Sequence, residues 1–354
     1  MEIFKDEFGV IMKEKIALVI GATGQDGPNL CKILLGKGYK VYGMTRRSAH
    51  RDWSFVEQMG LQQVEFIEGD LSDAASINQI IHKIQPDELY NLGAMSHVGV
   101  SFNQPLYCAD VTGLGVLRLL EAVRQFSPKT KFYQAGSSEE FGGVTDSQNE
   151  ETPLVPKSPY AAAKVFAHHL CDIYRDAYGL FVVVGMLMNH ESERRGKEFV
   201  TRKITDWIGR YVNNPDTTES LKLGNLHASR DWGHSRDFCE AMYLMLQQET
   251  PKSYLIGTGE THTPKEFLEE ALKCAGIDFT LVEYPNGHFA YTDTRNGKLI
   301  VETCASLFRP LEVKNLKGDP SLAQKELNWQ PKITFKELVK IMVLSDINNY
   351  KVKK

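Results

Sequence analysis

The feature that most constrains this chain is the glycine-rich turn Gly21-Ala22-Thr23-Gly24-Gln25-Asp26-Gly27, which follows Glu14-Lys15-Ile16-Ala17-Leu18-Val19-Ile20 without a break. The uninterrupted apolar run from Ile16 predicts a strand buried on both faces of a parallel sheet. Residues 30–37 read as a helix closed by Gly38, and residues 39–44 as the next strand, so the turn lies at the strand-to-helix junction of a βαβ unit. At such a junction glycines permit a sharp turn and let backbone N–H groups reach a pyrophosphate at the helix N-terminus. Gly21, Thr23, Gly24, Gln25, Asp26 and Gly27 are therefore the first expected cofactor contacts.

The alternation continues. Strands are expected at 64–67, 88–92, 131–135 and 181–185, with helices at 74–84, 111–125 and 160–178 between them. Beyond residue 187 it breaks into a helix at 200–212 and an apolar segment at 221–226, while a helix at 237–247 and a strand at 253–257 are expected to return to the sheet. Helices at 264–274, 321–327 and 335–346 complete the chain. The fold class that follows is α/β, a Rossmann-type doubly wound parallel sheet with a smaller mixed α/β C-terminal lobe. Residues 13–187, joined by returning segments at about 230–260, form the expected dinucleotide domain. Residues 188–229 and 261–354 form the expected substrate domain, and 1–12 an N-terminal extension.

Composition narrows the partners. With 354 residues, 42% hydrophobic and 24% charged, the chain has the make-up of an ordinary globular protein. No apolar run approaches the ~20 residues needed to span a bilayer, and no signal-type stretch follows the amino terminus, so a cytoplasmic protein away from membranes is expected. A net charge of -4 offers no field to draw a polyanion, which argues against nucleic acid and leaves phosphate binding to local features. The six cysteines are scattered, without Cys/His spacing that encloses zinc, so no metal is expected.

At the end of the second strand, where an NAD enzyme usually presents an acid to the ribose, stands Thr45-Arg46-Arg47. Two guanidiniums suit a 2′-phosphate, and NADP is the cofactor expected. Asp70 and Leu71 after the third strand, and Leu92, Gly93, Ala94 and Ser96 after the fourth, lie at strand carboxyl ends and are expected to flank adenine and ribose. Further on, Ser158-Pro159-Tyr160-Ala161-Ala162-Ala163-Lys164 places Tyr160 and Lys164 one helical turn apart. A phenol is a poor base at neutral pH, but an adjacent ammonium stabilises phenolate and equips it to take a hydroxyl proton during hydride transfer. The fifth strand delivers Ser137, a hydroxyl to orient a substrate alcohol, together with Glu139 and Glu140. A carboxylate here can remove an acidic proton beside a ketone and then assist loss of water. The residues alone do not choose between Glu139 and Glu140.

These motifs, with Asn189-His190-Glu191-Ser192-Glu193-Arg194-Arg195-Gly196-Lys197-Glu198-Phe199-Val200-Thr201-Arg202-Lys203-Ile204, Leu223-Gly224-Asn225, Arg230-Asp231-Trp232-Gly233-His234 and Phe308-Arg309-Pro310-Leu311-Glu312-Val313, resemble the GDP-mannose 4,6-dehydratase family from Ile16 to about Asp346. The resemblance implies a catalytic set of Ser137, Glu139, Tyr160 and Lys164. It implies cofactor contacts from Tyr107, His190 and Arg195 besides Lys164 and the residues named above, and a GDP-sugar held by Ser96, Ser137, Asn189, Val200, Lys203, Leu223, Asn225, Arg230, Arg309 and Glu312. The implied reaction turns GDP-mannose into GDP-4-keto-6-deoxy-mannose by internal hydride transfer, in a homo-oligomer, dimer or tetramer. Pro28-Asn29, Met95, Glu140 and the loop 48–54 depart from the family pattern. Met95 and Glu140 lie near the expected sugar, which makes a GDP-manno-heptose an alternative substrate. A reductase or epimerase acting on a GDP-4-keto-6-deoxy sugar shares the fold, cofactor and Tyr-Lys pair but has no need of Glu139. A non-catalytic NADP-binding scaffold would not be expected to keep all four catalytic residues.

Overall fold

The computed structural model describes residues 14–50, 52–284, 287–308, 311 and 313–351, and the backbone of 4–5 and 11–12. The strands β1 (Ile16–Ile20), β2 (Lys40–Thr45), β3 (Glu65–Glu68), β4 (Glu88–Asn91), β5 (Lys131–Ala135), β6 (Val182–Leu187) and β7 (Tyr254–Ile256) form one parallel sheet. Their order is β7-β6-β5-β4-β1-β2-β3, so the winding reverses between β1 and β4. In open sheets of this kind the crevice outside that reversal is where ligands bind. Ala17, Leu18, Val19 and Ile20 are buried on both faces, as their unbroken apolar run requires.

Helix α1 (Gly27–Gly36) begins at Gly27 rather than at residue 30, because Pro28 occupies the first turn, where a missing N–H leaves no bond unmade. The single helix expected at 111–125 is instead a short helix Pro105–Cys108, a π-type turn Ala109–Leu114 and a helix Gly115–Phe126. Its glycines pack closely against neighbouring elements: a Cβ on Gly113 would lie 3.1 Å from Phe166, and one on Gly115 2.9 Å from Leu71. Helix α2 (Pro159–Tyr178) starts where Ser158 caps it by accepting from the Ala161 N–H at 3.1 Å, and it ends at Gly179 in the left-handed conformation.

A second core, with Ile204, Trp207, Phe267, Tyr291 and Met342 at its centre, lies beyond the end of β6. It packs α3 (Val200–Asn213), the helix Pro264–Cys274 and α5 (Phe335–Lys351) around a four-stranded sheet ordered Leu221–Leu223, Leu299–Thr303, Phe289–Asp293 and Phe279–Glu283. Helix α4 (Ser235–Leu246) and β7 return to the first sheet as expected. The pair Asn189–Glu191 and Trp232–His234 runs parallel between the two cores. Among the described residues no helix is long and apolar enough to cross a membrane.

Candidate active site

A cavity of about 1410 Å³ follows the carboxyl edge of the sheet from the glycine turn to the second core. The candidate site residues named from the sequence lie on its wall except the rival carboxylate Glu140, which is buried behind it, and Arg309 and Glu312, which fall outside the described residues.

At the β1 end the backbone makes a cradle that only glycine fills. Gly21 has φ +78°, and its Cβ would meet the Gly93 backbone at 3.1 Å; a Cβ on Gly27 would sit 2.5 Å from the Gly21 carbonyl oxygen. Beneath the cradle, the Asp26 carboxylate accepts from Ser235 Oγ at 2.7 Å and His190 Nε2 at 2.9 Å. His190 Nδ1 faces the Met188 carbonyl at 2.9 Å, so both ring nitrogens face acceptors, an arrangement that favours the imidazolium. Burial alone would raise the Asp26 carboxyl and lower His190, but each charge reverses the other's shift: Asp26 falls below and His190 rises above its ordinary value. Asn29 Nδ2 donates to Ser235 Oγ at 2.9 Å and completes the chain. Gln25 Oε1 is buried here without a partner among the described residues, and the α1 N-terminus opens on the same space. A dinucleotide pyrophosphate fits this cradle.

At the end of β2 the exposed Arg46 and Arg47 stand beside Thr23 and Thr45, whose hydroxyls are 3.2 Å apart, and Arg46 Nη1 donates to Tyr107 Oη at 2.6 Å. Although burial opposes it, Asp70 lies below its ordinary range because the Ser72 N–H and hydroxyl donate to it, helped by the Arg46 charge.

The carboxyl end of β5 separates the rival carboxylates. Ser137 caps a short 3-10 turn, Ser138–Phe141, and its hydroxyl accepts from the Glu139 N–H at 3.3 Å. Glu139 lines the cavity. Glu140 is fully buried, with one oxygen accepting from the Ser137 N–H at 2.7 Å and the other from His168 Nδ1 at 2.7 Å. Opposite, α2 presents Tyr160 and Lys164, both buried, with Lys164 Nζ 5.8 Å from the phenol centroid. Nζ donates to the Ala135 carbonyl at 2.6 Å, which ties α2 to β5. Burial pulls Lys164 down to about 8 against the opposing charge of Glu140. It pushes Tyr160 up, a shift that the Ser137 hydroxyl opposes and Glu140 and Glu139 reinforce. Met95 packs with Cys108, Tyr160 and Ala163 as the apolar wall of this corner.

Toward the second core, Asn189 presents a buried Oδ1 with no partner among the described residues, an acceptor left for a ligand. The Arg195 guanidinium lies 3.6 Å from the Phe199 ring centroid, with Nε 3.1 Å from Glu191. Val200 and Lys203 open α3, Leu223 ends its strand and Asn225 lies in the loop just beyond it, and Arg230 donates to the Ser229 carbonyl at 2.8 Å. Sequence reading missed what holds this wall. Arg202 makes a bidentate pair with Asp346 on α5, at 2.8 and 2.7 Å, and donates to the Glu193 and Arg195 carbonyls at 2.6 and 2.9 Å. The partners are 144 residues apart in sequence; the one local signal is a pair of ionisable residues inside otherwise apolar helix faces.

A doubly wound sheet with a glycine cradle at its switch point, a Tyr-Lys pair one turn apart and a serine and carboxylate facing them place the chain among the extended short-chain dehydrogenases/reductases. Its fold is that of the dTDP-glucose 4,6-dehydratase from Streptomyces venezuelae, solved with NAD and TYD bound, at a TM-score of 0.79 and 21% identity, covering 95% of this chain and 98% of that one. A family model described as GDP-mannose 4,6 dehydratase matches residues 18–342, and the chain belongs to that family. It is 47% identical to GDP-mannose 4,6 dehydratase 1 of Arabidopsis thaliana, over 96% of this chain and 91% of the relative. With the GDP-mannose 4,6-dehydratase of Vibrio cholerae it shares 43% identity, over 95% of this chain and 94% of the relative.

Proposed function

We propose that the chain converts GDP-mannose into GDP-4-keto-6-deoxy-mannose and water with a retained NADP. The observation that carries this reading is the division of labour at the end of β5: Glu139 faces the cavity beside Ser137, Tyr160 and Lys164, whereas both oxygens of Glu140 are engaged in the interior. A reductase or epimerase needs the Tyr-Lys pair but has no work for a free carboxylate there.

Tyr160 takes the proton of the sugar C4 hydroxyl as phenolate, stabilised by the Lys164 ammonium, while Ser137 orients that hydroxyl. When bound, NADP supplies a hydride acceptor for C4 and a donor for C6, which makes the cycle redox neutral. Once C4 is a ketone the C5 proton is acidic; Glu139 removes it and passes a proton to the departing C6 hydroxyl, which leaves as water. Arg46 and Arg47 support the 2′-phosphate of NADP over a bare ribose. Asn189, Lys203 and Arg230 supply the amide and cations that suit a nucleoside diphosphate, with Arg309 and Glu312 completing the set. A homo-oligomer belongs to the same reading, since Phe166 and Ile173 on α2 and the neighbouring Leu106 and Leu114 remain exposed.

The test is isotopic. Incubation with C4-deuterated GDP-mannose should carry deuterium to C6 with loss of one water and no accumulation of NADPH, and Glu139→Gln should abolish product while nucleotide still binds. Label released to solvent, or stoichiometric NADPH consumption with a 4-keto-6-deoxy sugar, would overturn the reading.

A further inference from the structure

Glu140 and His168 have no role in the chemistry above, yet they lie directly behind it. Glu140 is 0% exposed and His168 8% exposed. One Glu140 oxygen holds the Ser137 N–H, and so the turn that carries Ser137 and Glu139. The other is held by His168, one turn beyond Lys164 on α2. Two elements that bring the four reacting side chains together are thus joined by a single carboxylate. A carboxylate buried this completely without compensation would be costly, and the imidazole provides the compensation.

We propose that Glu140 and His168 are a pair of positioning residues: Glu140 sets the Ser137–Glu139 turn and is the buried counter-charge of Lys164, and His168 locks it to the helix bearing Tyr160 and Lys164. The proposal rests on the roles given above to Tyr160 and Lys164. The charged and titratable groups that act on the pair are Lys164, Cys171, Asp172 and Arg175 on α2 and Tyr160 at its start, with the His169 ring 6.2 Å from that of His168; Cys108 from the preceding short helix acts on Lys164, and Glu139 from the turn and Arg195 from the segment before α3 act on Tyr160. Among them Glu140 is the carboxylate acting on Lys164. Burial works against a charged His168, and the hydrogen bond and charge of Glu140 outweigh it, so His168 titrates above its ordinary value.

The signs follow from the charges. An anion at Glu140 favours the Lys164 ammonium and disfavours the Tyr160 phenolate, so removing it lowers both midpoints; removing a cation at His168 raises both. Glu140→Gln keeps an acceptor for the Ser137 N–H and deletes only the charge, and His168→Asn keeps a donor in the Nδ1 position. In kcat against pH, His168→Asn should move both limbs toward base, because it leaves the Glu140 anion unopposed, whereas Glu140→Gln should move them less, because His168 gives up its proton along with its partner. Independently of catalysis, the His168 ring resonances of the wild type should titrate above ~6.5, and the midpoint should fall by about a unit or more in Glu140→Gln.

Reduced kcat in both variants with unmoved limbs would overturn the proposal, leaving a purely structural pair. An unshifted His168 midpoint would overturn it as well. If Glu140→Gln yields no folded protein, the wild-type His168 titration and the limbs of His168→Asn decide. A wild type that titrates as stated but dehydrates no GDP-sugar would sink the functional reading while leaving the charge pair standing.

Discussion

Arg202→Met is the most informative perturbation of the framework. Arg202 and Asp346 are both buried, with side chains 9% and 1% exposed, and the guanidinium makes four hydrogen bonds, two to the carboxylate and two to the backbone carbonyls of Glu193 and Arg195. Methionine fills much of the volume but leaves Asp346 with the Thr205 hydroxyl at 2.8 Å as its remaining described hydrogen bond. Removing one partner of a buried pair typically costs about 3–5 kcal/mol, because the other charge stays buried and uncompensated. With an unfolding entropy of ~2.1 cal/mol/K per residue over 354 residues, about 0.7 kcal/mol/K in all, a loss near 4 kcal/mol lowers Tm by about 5 °C. Differential scanning calorimetry without ligand reads this directly. Replacing both partners, Arg202→Met with Asp346→Leu, should restore most of the loss, since two apolar groups need no compensation. A single variant within about 1 °C of the wild type, or a double variant less stable than the single, would refute the reasoning.

Three further outcomes follow from the site. Because Lys164 is drawn down to about 8 and must stay an ammonium, turnover should fall as pH rises through about 8, and Lys164→Met should reduce kcat by about 10²–10⁴ at neutral pH in a coupled product assay. Gly27→Ala places a Cβ 2.5 Å from the Gly21 carbonyl oxygen and should abolish NADPH binding, measured by nucleotide fluorescence; unchanged affinity would show that the turn is not the cradle. Replacing Arg46 and Arg47 together by serine should weaken NADPH much more than NADH in the same titration, and an equal loss for both would remove the 2′-phosphate assignment.

Most of the sheet was legible because its central strands are buried on both faces and announce themselves as unbroken apolar runs: the run from Ile16 matches the strand 16–20, and the strand expected at 181–185 lies at 182–187. The three strands 279–283, 289–293 and 299–303 were missed. They form a partly exposed antiparallel sheet, where Phe289-Ala290-Tyr291-Thr292-Asp293 alternates over a short span broken by glycine turns, a much weaker signal than continuous burial. The turn at 109–114 was hidden for another reason: its apolar spacing suits a continuous helix, and a change from α to π hydrogen bonding leaves that spacing almost unaltered. At the site, chemistry at fixed spacing could be read, as with Tyr160 and Lys164. The choice between adjacent glutamates could not, because it depends on His168, which lies 28 residues away, reaching one of them and not the other.

The short strand Asn189–Glu191 is more than a passage between two cores. Asn189 faces the substrate end, His190 grips Asp26 under the cradle, and Glu191 braces Arg195. One short strand therefore touches both ends of the cavity, and if it couples them, thermodynamic linkage makes the coupling reciprocal: whatever factor a dinucleotide gains from a bound nucleotide sugar, the sugar gains from the dinucleotide. Under the proposed redox-neutral cycle such a joint would favour retention, since a cofactor recycled within each turnover would be released most slowly while the second ligand stays in place.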